Sequence, residues 1–427
     1  MINFIYKGLL RDRSRSFFPI IIITLIVAVV VFFSGFLNGI YNALFLNNAL
    51  VSSGHLKVVT SAYHKEHQLL PNDLALIEVD KIIDNLETEY QNYFWTPRIT
   101  FAGLLDAPDL NGETLAQSPT LALGIDFLSK ESKQFEIWNL KTKLIDGILP
   151  NTSDEILLSY KLADRLNLAP GEIVTFIGST MDGAFTTYNF KVSGIFNLQM
   201  GAIDKDMMLV DIEGARAALD MDGAASEILG YENNLFFDNN QTVQIRDQYN
   251  NKYNDADYIY SPFMLALRDM NQMGTVIDFS DVILAIILGI ILFVVTVLLW
   301  NMGIMNGLRR YGEIGMRLAV GETKGHIFNS LLLESVLIGV IGSILGTIIG
   351  ISATSYLEFY GIDYSKGLDA ISASTFPMPN VFYPKVTSNL YFLGFFPGIL
   401  ATLFGTMLAG RGIYKREMAQ LFKELET

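Results

Sequence analysis

Three histidines, His55, His64 and His67, crowd into residues 55–67, and imidazoles at close spacing are the first candidates for a metal site. His64-x-x-His67 is the pair with ligand-like spacing, with Glu66 the carboxylate beside it. The segment is polar, however, and a solvated surface loop is the weightier reading. Asp220-Met221-Asp222-Gly223 has the opening of a calcium loop. Its third acidic position and downstream glutamate fall at the wrong spacing, so acidic surface accounts for it better. Nothing matches the phosphate-cradling G-x-x-x-x-G-K-[ST]; the fragment Gly321-Glu322-Thr323-Lys324-Gly325 lacks the spacing and follows no strand. Neither a nucleophile elbow nor an HExxH helix occurs. Cysteine is absent, which removes disulfides, thiolate catalysis and Cys-ligated zinc. The expectation is a non-catalytic chain with no metal or cofactor of its own.

The pattern with most to say lies at residues 306–334, NGLRRYGEIGMRLAVGETKGHIFNSLLLE. Arg309, Arg310, Glu313 and Arg317 recur at roughly helical spacing, with Ile314, Leu318 and Val320 available for contact. Gly321 marks a helix stop, and Thr323 is placed to cap the next helix. A short helix of mixed face suits a groove on a soluble partner; the competing reading lays it on lipid headgroups.

Composition explains what holds that helix. Of 427 residues, 51% are hydrophobic and 17% charged, with net charge −14. So few charges disfavour a purely soluble protein, yet there are too many for a protein buried in lipid throughout. Residues 57–281 carry 16 Lys/Arg and 34 Asp/Glu, a balance of −18, leaving −14 + 18 = +4 elsewhere. The acidic block also disfavours nucleic-acid binding.

Four stretches reach the roughly 20 apolar residues that a membrane helix needs: 17–36, 282–303, 336–357 and one within 385–411. The first is too long for a signal peptide and is read as a retained helix, with Pro19 in its first turn. Lys7, Arg11, Arg13 and Arg15 precede it; Arg309, Arg310, Arg317 and Lys324 lie between the second and third; Arg411, Lys415, Arg416 and Lys423 follow the fourth. The positive-inside bias therefore puts both termini and the 304–326 loop in the cytoplasm, and the acidic block outside. Gly342, Gly346 and Gly350, with Gly339 before them, line one face of the third span and permit close helix packing; the plainer reading is that membrane helices are rich in glycine. Glu334 is read as interfacial rather than intramembrane.

The external block alternates strand and helix patterns. Strands are expected at 54–60, 98–105, 120–126, 155–158, 172–177, 188–196 and 207–210, and helices at 73–90, 160–168 and 213–219. The first span reads as outlasting the bilayer through residues 37–51, and 262–281 reads either as its stalk partner or as irregular linker. The expected whole is an α-helical membrane protein with four transmembrane helices and a large α+β domain inserted between helices 1 and 2. Its segments are 1–16, a basic amphipathic start; 17–45, helix 1 and stalk; 46–275, the external domain; and 276–304, helix 2. There follow 305–326, the cytoplasmic helix; 327–357, helix 3; 358–384, an external loop; 385–411, helix 4; and 412–427, the tail.

Glu313-Ile314-Gly315-Met316-Arg317-Leu318-Ala319-Val320-Gly321 resembles the EIGxRxAxG run of the FtsX/MacB/LolC–LolE-type ABC transporter permease family. The LLxE that follows and the glycine-rich third helix resemble it too. So do Gly147, residues 155–159, Leu162-Ala163, Leu166, Pro170-Gly171-Glu172, the 189–196 strand and Ser53-Gly54-His55-Leu56. The resemblance implies an inner-membrane subunit working by mechanotransmission, paired with a second copy or a paralogue. A separate ABC ATPase dimer, holding ATP and Mg, would grip Arg309, Arg310, Glu313, Ile314, Arg317, Ala319 and Gly321. It further implies movement of a lipoprotein or other amphiphile from the outer leaflet, with membrane lipid as a partner. Phe33, Leu37, Ile40, Phe279 and Ile283 are then candidates to border the lipid-access site. Two other family roles stay open: MacB-like efflux, and FtsX-like signalling that controls a cell-wall hydrolase or senses a peptide. A fused ATPase, as in MacB, does not occur in this sequence.

Overall fold

The computed structural model describes residues 13–108, 113–130, 132–198, 205–255, 257–270, 272–309, 311–363, 381–400 and 402–408. The chain divides into two compact units: a helical one of residues up to Tyr41, Asp278–Tyr364 and from Val381 onward, and a β-rich one built on Asn42–Ile277.

In the helical unit, α1 (Arg13–Asn48) is a single helix. The stalk expected beyond residue 36 is thus helix, closed by a π turn at Ala49–Ser53. Because α1 is already helical at Arg13, Pro19 lies inside it rather than in its first turn, and one ladder hydrogen bond is missing there. Among the described residues, four helices are long and apolar enough to cross a membrane: Phe17–Asn48, Met273–Leu298, Lys324–Tyr360 and Ser388–Leu408. The last is not one regular helix. It contains a π segment, Phe396–Leu400, where Pro397 lacks the N–H that an α-helical ladder needs.

The long helix at Lys324–Tyr360 seats its glycines on α1. A Cβ on Gly342 would lie 2.7 Å from Ile23, one on Gly346 2.7 Å from Val27, and one on Gly350 2.8 Å from Val31. Residue numbers rise together along both helices, so the pair runs parallel. Val295 joins the same apolar cluster as Ile23, Val27 and Val31, with Ile338 and Leu390. Lys385 is tied twice, by its N–H to Gly35 O at 2.9 Å and by its ammonium to Glu358 at 2.7 Å.

The β-rich unit is one ten-stranded mixed sheet. Its strands are β1 (Leu56–Thr60), β2 (Tyr93–Pro108), β3 (Thr114–Ile125), β4 (Leu144–Gly147), β5 (Glu155–Ser159), β6 (Ile173–Ser179), β7 (Phe185–Phe196), β8 (Met207–Asp211), β9 (Glu227–Glu232) and β10 (Pro262–Ala266). The order is β10-β1-β9-β2-β3-β8-β5-β7-β4, with β6 bridging β2 and β7. Six strands therefore close a ring, β2-β3-β8-β5-β7-β6, which removes the exposed edges an open sheet would carry. β2 makes this possible by its length: its first half pairs β9 from Tyr93 to Arg98, and its second half pairs β6 at Leu104–Asp106.

Helices α2 (Ser61–Glu66), α3 (Val79–Glu89), α4 (Tyr160–Leu166), α5 (Ile212–Leu219) and α6 (Asn239–Tyr253) accompany the sheet. Their starts are built locally. Thr60, Ser159, Asp211 and Asp238 each accept a backbone N–H from the first turn, as N-cap chemistry requires. Asn167 and Asp220 close α4 and α5 in the left-handed conformation, so the Asp220–Gly223 stretch is a helix-ending turn. Residues 262–266, weighed above as stalk or linker, instead form β10 on β1, with Leu56 opposite Ala266.

Candidate functional site

Helix α7 (Met273–Arg309) leads into α8 (Tyr311–Ala319), which is followed by α9 (Lys324–Tyr360). The turn between α8 and α9 is fixed by backbone geometry. Gly321 has φ +98°, a left-handed conformation that suits glycine. Its N–H donates to Leu318 O at 3.0 Å, and the Glu322 N–H donates to Arg317 O at 3.1 Å. Those two bonds make a Schellman closure, in which an apolar contact usually joins the residues at the positions of Arg317 and Glu322. Here an ion pair takes its place. Arg317 Nε donates to Glu322 Oε2 and Nη2 to Oε1, both at 2.6 Å. His326 Nε2 lies 3.6 Å from the same carboxylate. The Arg317 hydrogen bonds hold the Glu322 carboxyl below the usual carboxylate range, with the charges of Arg317 and His326 acting in the same direction.

One face of α8 is used up internally. Ile314 and Leu318 are buried with Ile327, and Leu331 packs against them. Ile314, expected at a partner surface, is 2% exposed and pins the helix to α9 instead. Residues one turn apart on one helical face meet the same neighbour, which is why Ile314 and Leu318 act together. Among the described side chains turned outward, Met316 is 64% exposed and Val320 87%. With Arg317, Gly321 and Glu322 they line an open groove of about 530 Å³. Ala319 is exposed beside them. Arg309 ends α7 and Glu313 lies in α8, while Arg310 falls outside the described residues, as do Lys7, Arg11 and the basic tail from Arg411. Met316 and Glu322 were missed by sequence reasoning; Glu322 was legible only as the residue just beyond the helix-stopping glycine.

The lipid-access candidates lie on two helices. Phe33, Leu37 and Ile40 are half-buried on α1, and Ile283 is half-buried on α7, where Phe279 is 65% exposed. Val295 of α7, with Ile291 packed beside it, shares an apolar cluster with Ile23, Val27, Val30 and Val31 of α1.

The histidines are separated. His55, in the strand expected at 54–60, is fully buried. Its Nδ1 accepts the Glu232 N–H at 3.2 Å, and its ring packs against Tyr231 and Phe237. Burial lowers its pKa to about 4. His64 and His67 stack on each other at 6.1 Å. Among the described residues, no group of three His, Asp or Glu side chains is arranged to hold a metal ion.

Residues 285–418, which contain α8, match the family described as FtsX-like permease C-terminal. That segment is similar to the FtsX-like permeases, and the chain is similar to proteins named MacB and LolC. It is 23% identical over 272 residues to the lipoprotein-releasing system transmembrane protein LolC of Xylella fastidiosa, covering 61% of this chain and 62% of that one. To the macrolide export ATP-binding/permease protein MacB of Bradyrhizobium diazoefficiens it is 29% identical over 121 residues, 27% of this chain and 18% of that one. To MacB of Wolinella succinogenes it is 29% identical over 100 residues, 22% and 15% respectively. Each match spans less than two thirds of the relative's length. The solved periplasmic region of MacB from Actinobacillus actinomycetemcomitans aligns at TM-score 0.35 and 12% identity, covering 53% of this chain and 95% of that one.

Proposed function

We propose that this chain is the permease subunit of an inner-membrane ABC transporter. In this reading a separate ATPase dimer grips α8, and ATP-driven movement passes along α1 and α7 to the β-rich unit outside. The observation that carries the reading is α8 itself: a short helix pinned by Ile314 and Leu318, latched by Arg317–Glu322, and presenting exposed Met316 and Val320. Apolar anchors on a rigid helix face are what a docking groove takes up. Arg309, Arg310 and Glu313 would add charged contacts to the ATPase in this reading.

Parallel packing of Gly342, Gly346 and Gly350 on α1 supports the topology in this reading, with the N-terminus and the α8 loop on the same, cytoplasmic side. Helix α7 has little protein around it, with Ile286, Ile290 and Phe293 all more than half exposed; lipid and a second permease copy would cover it. Cargo is drawn from the outer leaflet, a lipoprotein or another amphiphile, past Phe33, Leu37, Ile40, Phe279 and Ile283. The similarity to LolC, the longest of the three sequence matches, supports that cargo.

The test is reconstitution of the full chain in vesicles with the ABC ATPase that copurifies with it. Release of an acylated peptide on ATP addition, abolished by Val320→Asp, is the expected result. An ATPase that binds and turns over identically with Val320→Asp would remove α8 from the role. Coupled turnover without acyl-peptide release would leave the permease and discard the cargo.

A further inference from the structure

Strand alternation gives the β-rich unit a second, separate interior. Leu56, Val58, Ile99, Phe101, Ile228 and Met264 face the main core. Their neighbours of opposite parity, including Lys57, Arg98, Leu123, Glu227 and Leu265, face a cavity of about 250 Å³ on the other side of the sheet. Tyr63 and His64 of α2, with His67 and Leu70 beyond it, form the roof.

The floor of that cavity is ionic and the walls are not. Glu227 accepts from Lys57 Nζ at 2.5 Å and from Arg98 Nη2 at 2.5 Å, with side-chain exposures of 3% for Glu227, 14% for Lys57 and 3% for Arg98. Arg98 Nη1 also donates to Leu50 O at 3.0 Å, and Thr100 Oγ1 to Glu227 at 3.2 Å. Val59, Leu121, Leu123, Met207, Leu265 and Met270 supply the apolar walls.

Two cations against one carboxylate leave a surplus of one positive charge, because 1 + 1 − 1 = +1 for Lys57, Arg98 and Glu227. The other lining carboxylate, Asp269, does not offset it. Asp269 is held by Arg246 Nη1 at 2.6 and 2.7 Å and by the Ala266 N–H at 2.9 Å. A buried surplus charge is unfavourable unless paired. Glu227 holds both cations; of the two, the compact lysine ammonium has donors beyond the one that Glu227 accepts and suits a further single anionic group. The desolvation of Lys57 acts in the same direction, lowering its pKa despite the neighbouring Glu227.

We propose that this cavity binds a small anionic amphiphile, its acidic head at Lys57 and an apolar chain of about six carbons against Leu123, Met207 and Leu265, a size suited to a space at the lower end of ligand pockets. This site is independent of the role assigned to α8 and would stand if that role failed. The experiment is saturation-transfer difference NMR on the full chain in nanodiscs, with empty nanodiscs as background. The probes are sodium hexanoate, hexanamide (the tail without charge) and sodium acetate (the charge without tail). The expected result is a saturable hexanoate signal at least fivefold above both other probes. Lys57→Met should reduce it at least fivefold. Met270→Trp, which plugs the half-buried rim and leaves the ionic floor intact, should do the same if Lys57→Met does not fold. Equal signals from hexanoate and hexanamide, or from hexanoate and acetate, would overturn the proposal. So would no hexanoate signal above empty discs, or a signal unchanged by Met270→Trp.

Discussion

Arg317 and Glu322 close the turn after α8 through two parallel hydrogen bonds of 2.6 Å, at the positions where such turns usually carry an apolar contact. The side chains are only partly exposed, 30% and 25%. A charged latch differs from an apolar one chiefly in its response to salt, since ions screen it.

That difference is measurable. ATPase coupling by the wild-type chain is expected to weaken as sodium chloride rises from 0.05 to about 0.5 M, where the screening length falls to a few ångströms. The double variant Arg317→Leu/Glu322→Leu restores an apolar closure and should couple with much less salt dependence. Glu322→Ala, which leaves Arg317 without its carboxylate, should couple weakly at every salt concentration. Titrating salt in the reconstituted ATPase assay checks all three.

Met316 and Val320 offer the opposite test, of contact without stability. Both are exposed, and surface substitutions of this kind shift folding by about 0.5 kcal/mol or less. Val320→Asp should leave the melting temperature unchanged while weakening ATPase binding about tenfold, equivalent to about 1.4 kcal/mol. Parallel thermal melts and binding titrations separate the two.

Packing of α9 on α1 should be sensitive to a single carbon. A Cβ at position 346 would lie 2.7 Å from Thr24 O and from Val27. Gly346→Leu is expected to destabilise the helical unit by about 1–3 kcal/mol, the usual range for overpacking. Gly346→Ala should be milder and partly rescued by Val27→Ala. Chemical denaturation in mild detergent reads the order Leu, then Ala, then Ala with rescue.

His55 predicts a pH dependence whose sign follows from burial. Its folded pKa is lowered to about 4 from 6.5, so the unfolded chain binds the proton more readily. The stability contributed by the neutral ring is therefore full above about pH 6.5 and is lost as pH falls toward 4. The loss at pH 4 should approach about 3 kcal/mol, at 1.36 kcal/mol per unit. His55→Asn keeps an acceptor for the Glu232 N–H and should flatten that part of the profile. Unfolding midpoints at half-unit steps between pH 7 and pH 4 check it.

Much of this architecture is visible in one dimension because its signals are local. Gly342, Gly346 and Gly350 advertise a packing face by spacing alone, and Gly321 marks the end of α8. Ser159 and Asp211 cap the helices that follow their strands. Other elements depend on partners far away. Helix α6 buries only Thr242, Ile245 and Tyr249, a stripe too narrow to stand out in a polar segment, and β9 mixes a glycine and two glutamates among its apolar residues. The bond from Arg98 to Glu227 joins residues 129 apart, so no periodicity could announce it. Ile314 and Met316 show the same limit within one helix. Both are apolar, and only the position of Ile327 decides which of them faces inward.

The ladder between α1 and α9 has a further geometric property. Its glycines repeat every four residues, and so do Ile23, Val27 and Val31 opposite them. A slide of either helix by four residues, about 6 Å along the axis, brings two of the three glycines back onto β-branched partners. The stripe therefore fixes which faces meet and how near the helices approach, but it is almost indifferent to translation along the track. Register along that axis must be held by aperiodic fastenings at the end of the track, such as the bonds of Lys385 to Gly35 and Glu358.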